Sequence, residues 1–109
     1  MKSLRQEKVS EVMRHLAAEY LGQESNKTAL ITVTRCDVSP DLKRGTIFLT
    51  VFPENKEETV LDFARRHRAE MRDFLKKRLT TKNIPFLEVE IDRGEKNRQH
   101  IDELLRESK

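Results

Sequence analysis

The sequence predicts an α+β domain in which two helices pack on one face of a small mixed sheet. Three observations carry this. Residues 55–79 have apolar positions at helical spacing, residues 28–52 hold two β-branched runs split by a turn, and residues 86–92 alternate apolar and acidic. The predicted order is α-β-β-α-(α)-β, with a last helix after it.

Ser3–Leu21 reads as the first helix, with Val9, Val12, Met13, Leu16 and Tyr20 as its apolar face. Ser3 and Gln6 form a capping-box signature, and Gly22 suits the residue after the helix. Thr28–Ser39 reads as a strand, rich in residues that fit a pleated surface. Strict alternation puts Thr34, Cys36 and Val38 on one face and Ile31 and Val33 on the other. Ser39-Pro40-Asp41-Leu42 has turn chemistry, and the side chains of Ser39 and Asp41 are expected to bond nearby amides. Thr46–Phe52 alternates Ile47, Leu49 and Val51 against Thr46, Phe48 and Thr50, so the two strands make an antiparallel pair ended by Pro53.

Asn55–Leu79 reads as one long helix or two joined at a bend, opened by an Asn55–Glu58 capping box. Val60, Phe63, Ala64, Met71, Phe74 and Leu75 form its apolar stripe. At about 100° per residue, Arg65, Arg68, Arg72 and Lys76 share one flank, while Asp62, Glu70 and Asp73 share the other with Arg66 and Lys77. Along the helix no acid lies three or four residues from Arg68 or Arg72, so the first flank is the less neutralised one. Pro85 cannot continue a helix, and Leu87, Val89 and Ile91 of the third strand face the core while Glu88 and Glu90 face water. Ile101, Leu104 and Leu105 support a short terminal helix, weakly docked or frayed.

A chain of 109 residues fits a single domain, and the 36% hydrophobic and 38% charged residues leave nothing for a second core. There is no run of about 20 apolar residues and no apolar leader segment, so a membrane or secreted protein is not expected. The lone Cys36 cannot form an internal disulfide and suits a reducing cytoplasm. Net charge is +3, but residues 65–82 carry eight Lys/Arg against two acids, which leaves the remainder net acidic. A basic surface on an acidic body is the footprint of a polyanion binder. His15, His67 and His100 are scattered without ligand spacing, and no nucleotide-binding glycine loop is present. Neither a metal, a cofactor nor an enzymatic activity is expected. Phe48 fits either a base-stacking platform or edge packing.

On this reading the chain resembles a known family. DVSPDLKRGTIFLTVF (Asp37–Phe52) resembles the signature hairpin of ribosome-binding factor A. Arg5, Lys8 and Val9 of the first helix, ITVTRCDV, RHRAEMRDFLKKRLTTKNIPFLEVEID and HIDELL are similar to the family's further segments in the same order. The resemblance implies a type II KH-like fold for residues 1–92, with 93–109 a charged C-terminal segment, a short helix or partly disordered. It also implies a monomeric cytoplasmic factor that binds the free small ribosomal subunit (16S rRNA and neighbouring ribosomal proteins) and assists late 16S rRNA maturation at the 5′ end, notably in the cold. Arg65, Arg68, Arg72 and Lys76, extended by Lys77, Arg78 and Lys82, would then meet RNA phosphates, with Arg5 and Lys8 as lesser additions.

One feature departs from the family. KH domains clamp the backbone with a Gly-x-x-Gly loop, which this sequence lacks. The family replaces that loop with a helix kink built on Ala-x-Gly. The matching residues here are Ala69, Glu70 and Met71, with methionine where glycine is usual, so a shallower kink is expected. Two other readings fit the same charge pattern: a generic KH-like module for single-stranded RNA, and a protein-interaction domain with a basic helix.

Overall fold

The computed structural model describes residues 4–24, 29–79 and 84–107. The elements are α1 (Leu4–Glu24), β1 (Leu30–Val38), β2 (Arg44–Phe52), a 3-10 turn (Glu54–Lys56), α2 (Glu57–Arg66), α3 (Arg68–Arg78), β3 (Phe86–Ile91) and α4 (Arg93–Glu107). The sheet order is β1-β2-β3. β1 and β2 are antiparallel, whereas β3 runs parallel to β2. A parallel partner needs a crossover, and α2 with α3 supplies it.

Burial of apolar side chains drives this arrangement. Ile47, Leu49 and Val51 of β2 and Leu87, Val89 and Ile91 of β3 line the inner face, as their alternation predicts. Val60, Ala64, Met71 and Leu75 of α2 and α3 pack onto it, with Phe63 and Phe74 partly buried beside them. The buried face of α1 is Val9, Met13, Ala17, Tyr20 and Leu21, while Val12 of the expected stripe is exposed. Tyr20 joins α1 to α3 through an edge-on contact with Phe74 and a hydroxyl donated to Glu70 at 3.0 Å. Gly45 lets Met13 approach, since a Cβ there would lie 2.9 Å from the methionine methyl.

Several local expectations are overturned. α1 continues through Gly22 to Glu24, so this glycine does not end the helix. The Gln6 side chain is buried and its amide donates to the Val38 carbonyl at 2.9 Å, a tertiary contact that local spacing does not show. Ser3 lies outside the described residues. Asn55 sits in the 3-10 turn and α2 starts after Lys56 without a side-chain cap, so there is no Asn55–Glu58 box.

The largest departure is in β1. Its register against β2 skips Thr34, so Val33, Cys36 and Val38 all face the core. An extra residue in one strand reverses the alternation beyond it. The bulge is tied down by Asp92, whose carboxylate accepts from the Thr34 hydroxyl at 2.5 Å and from the Glu95 amide at 3.1 Å. The Asp92 amide donates to the Leu49 carbonyl at 2.8 Å. One side chain thus fixes the bulge and caps α4. The β1–β2 turn behaves as expected. Ser39 donates to Asp41 and accepts from the Arg44 amide, and Asp41 accepts from the Lys43 amide. Leu42 in this turn has φ 60°, which for a non-glycine residue costs about 1–2 kcal/mol, against its partial burial on the core.

The Thr34 hydroxyl, the helix-start amides and nearby Arg35 hold the Asp92 carboxyl below its usual pKa, against the opposing effect of burial. Its contribution is therefore complete above the unfolded pKa of about 3.9 and is lost as pH falls through the lower folded value. Asp92→Ala should lower unfolding free energy by about 1–3 kcal/mol at pH 7 and flatten the loss of stability below pH about 4. Urea titrations of both proteins across that range measure it.

Candidate nucleic-acid interface

The basic flank lies where α2 and α3 cross behind β3, the edge strand. β3 bonds β2 on one side only, so its outward carbonyls need other donors. Arg65 donates to the Val89 carbonyl at 3.1 Å, and Arg72 to the carbonyl of Ile84, just before the strand, at 2.9 Å. Arg65 also approaches Glu90 at 3.7 Å and Arg68 approaches Glu88 at 3.4 Å.

The flank is therefore less open than its helix spacing indicates. No acid faces Arg68 along the helix, but the fold brings Glu88 from β3 to it. These pairs are long, and both arginines keep substantial exposure, 43% for Arg65 and 38% for Arg68. Exposed pairs of this kind contribute about 0–1 kcal/mol and leave the guanidinium groups accessible.

The helix break falls at His67 (φ −103°, ψ 16°), ahead of Ala69, Glu70 and Met71, which make up the first turn of α3. Met71 is fully buried. Three carbonyls at the end of α2, those of Phe63, Ala64 and Arg65, find donors at the break. The His67 amide reaches Phe63 and Ala64 at 3.1 and 3.2 Å, and Arg68 Nε donates to Arg65 at 3.1 Å. His67 Nδ1 lies 2.8 Å from the Phe63 carbonyl, which requires its proton on that nitrogen, and the ring packs on Phe63. The break is a helix end closed by the His67 amide together with the His67 and Arg68 side chains.

Beyond the break, Lys76, Lys77 and Arg78 are exposed at the end of α3. Among the described residues no carboxylate lies within ion-pair distance of them. Arg78 is ordered by the Phe74 ring 3.7 Å away and by the Phe74 carbonyl. Lys82 lies outside the described residues. Arg5 and Lys8 are exposed on the first turns of α1, and Arg14 is engaged with Glu11 at 2.6 Å.

On the outer face of the sheet the sequence singles out Phe48 but not Phe86. Arg44 and Thr46 of β2 lie beside Phe86 and Glu88 of β3. Phe86 is 56% exposed. Phe48 is half-buried beneath Arg35, whose guanidinium lies 4.1 Å from the ring centre. The signal was present, since Phe86 shares its parity with Glu88 and Glu90.

A three-stranded sheet backed by helices, with a helix break in place of a glycine clamp and cations around it, defines a KH-like domain without the KH loop. A family model described as ribosome-binding factor A matches residues 5–105. The ribosome-binding factor A of Rhodopseudomonas palustris strain TIE-1 is 33% identical over 109 residues, covering 95% of this chain and 80% of the relative. The crystal structure of ribosome-binding factor A from Thermus thermophilus superposes with a TM-score of 0.74 at 21% identity, covering 81% of this chain and 96% of that one. A Thermus thermophilus model fitted into a cryo-EM map of a 30S complex gives 0.68 at 22% identity, covering 77% and 91%. The chain belongs to the ribosome-binding factor A family. No described helix is long and apolar enough to cross a membrane.

Because Arg72 serves a carbonyl beside the strand edge and Lys76 serves none among the described residues, the two should differ in stability tests. Arg72→Ala should cost about 1 kcal/mol, and Lys76→Ala should stay within about 0.5 kcal/mol of the parent. Chemical denaturation of the two variants distinguishes them.

Proposed function

We propose that this protein binds the free small ribosomal subunit in the cytoplasm and assists late maturation of 16S rRNA, including its 5′ end, without itself being an enzyme. The observation that carries the reading is the family match over residues 5–105. The Thermus thermophilus relative placed in a 30S complex supports it. Lys76, Lys77 and Arg78 are the cations best placed for phosphate. Arg65, Arg68 and Arg72 add to them while also covering the strand edge, and Arg5, Lys8 and Lys82 extend the surface.

The mechanism is binding. A rigid domain favours one rRNA conformation by its differential affinity for the alternatives. Phosphate contacts give affinity and register without reading sequence. The chain has no nucleotide-binding loop, so release is driven from outside it.

On a sucrose gradient of cell lysate, the protein should travel with free small subunits and be missing from translating ribosomes. An association that survives ribonuclease would point to a protein partner, and tight selective binding to short oligonucleotides would point to a generic RNA module. Lys76→Glu with Lys77→Glu, which disturbs no structural contact among the described residues, should weaken binding to purified subunits at least tenfold and shallow its salt dependence. Unchanged affinity would remove this end of α3 from the interface.

A further inference from the structure

We propose that Phe86 is a stacking platform for an unpaired RNA base at the edge of the sheet, with Arg44 and Arg68 holding the flanking phosphates. The proposal rests on the reading of function above and assigns it a second contact surface, around the strand edge from α3.

Phe86 opens β3 and is 56% exposed on the water-facing parity of the strand. Its backbone is fixed by an amide donated to the Lys43 carbonyl at 2.7 Å and by pairing with Arg44. The Arg68 guanidinium lies 5.8 Å from the ring centre, within cation–π range. Among the described residues no other ring or cation packs on it. More than half of a large apolar ring is thus left in water on a fixed strand backbone.

Cations surround the ring. Arg44 is its neighbour across the parallel pair, and Arg72 is anchored two residues before it at the Ile84 carbonyl. The nearest acid along the strand face is Glu88, which Arg68 already meets at 3.4 Å. An apolar protein partner would need a wider patch than one ring among guanidinium groups. A base has the matching chemistry, with a π-face for the ring and phosphates for the arginines, and stacking of this kind tolerates any base.

The test compares wild-type protein with Phe86→Leu and Phe86→Trp for binding to purified small subunits across a salt series. Leucine keeps apolar bulk at an exposed site and removes the aromatic face. We expect about tenfold weaker binding for Phe86→Leu, recovery in Phe86→Trp, and the same salt slope in all three, since no cation is lost. A photo-crosslinker at position 86 should label 16S rRNA. Phe86→Leu binding like wild type, tryptophan as weak as leucine, or a crosslink only to ribosomal protein each overturns the proposal while leaving the functional reading intact. Wild-type protein that fails to bind the particle sinks both.

Discussion

The open edge of β3 is the constraint on which the rest of the molecule depends. A parallel strand at the margin of a small sheet leaves outward carbonyls that water or another chain would otherwise satisfy. Here Arg65 and Arg72 reach from the crossover helices and bond to Val89 and Ile84. On the proposed function the arginine flank would have two tasks, which pull in different directions. Covering the edge requires the guanidinium groups to point inward, at fixed carbonyls. Meeting a polyanion requires charge left over. Arginine meets both demands, because its several N–H donors leave some free after one is used. A lysine spends a single compact charge wherever it points. Lys76 and Lys77 stand exposed in the last turn of α3, where among the described residues no carbonyl or carboxylate engages them.

A second tie holds the far end of the sheet. Asp92 joins the β1 bulge, the β2 backbone and the first turn of α4 through one carboxylate and one amide. α4 is further attached to α2 by Lys96, 3.0 Å from Glu57. Beyond that turn Ile101, Leu104 and Leu105 are exposed. The helix forms because its start is capped and its first turns are anchored, whereas its apolar residues contribute little burial.

Much of this was legible in the sequence. The hairpin, β3 and the helix stripe were readable because each follows a local period interrupted by proline or turn residues. The parity of β1 was not, because the extra residue at Thr34 is stabilised by an aspartate 58 positions away. The pairing of Arg68 with Glu88 was hidden for the same reason, as it spans 20 residues and a change of element. Asn55 looked like a cap, yet the chain leaves Pro53 in a 3-10 turn and α2 begins without one. Local spacing thus identified the elements and the charged flank. It could not show which of those charges the fold had already engaged.

That distinction changes where an RNA-facing surface should be sought. Counting cations along α2 and α3 places the centre at Arg68 and Arg72. Subtracting those tied to β3 moves it in two directions, toward Lys76–Arg78 at one end and around the strand edge to Arg44 and Phe86 at the other. Arg68 links the two, since its guanidinium meets both Glu88 and the Phe86 ring. The helix break at His67 sits between them, and its α2 carbonyls are already bonded by His67 and Arg68. A KH loop grips the nucleic-acid backbone with its own flexible main chain. In this protein the turn at His67 is closed by its own amide and by the His67 and Arg68 side chains. On the proposed function, long cationic side chains on rigid elements would grip the backbone, and the exposed Phe86 ring beside Arg68 would hold a base instead of a phosphate.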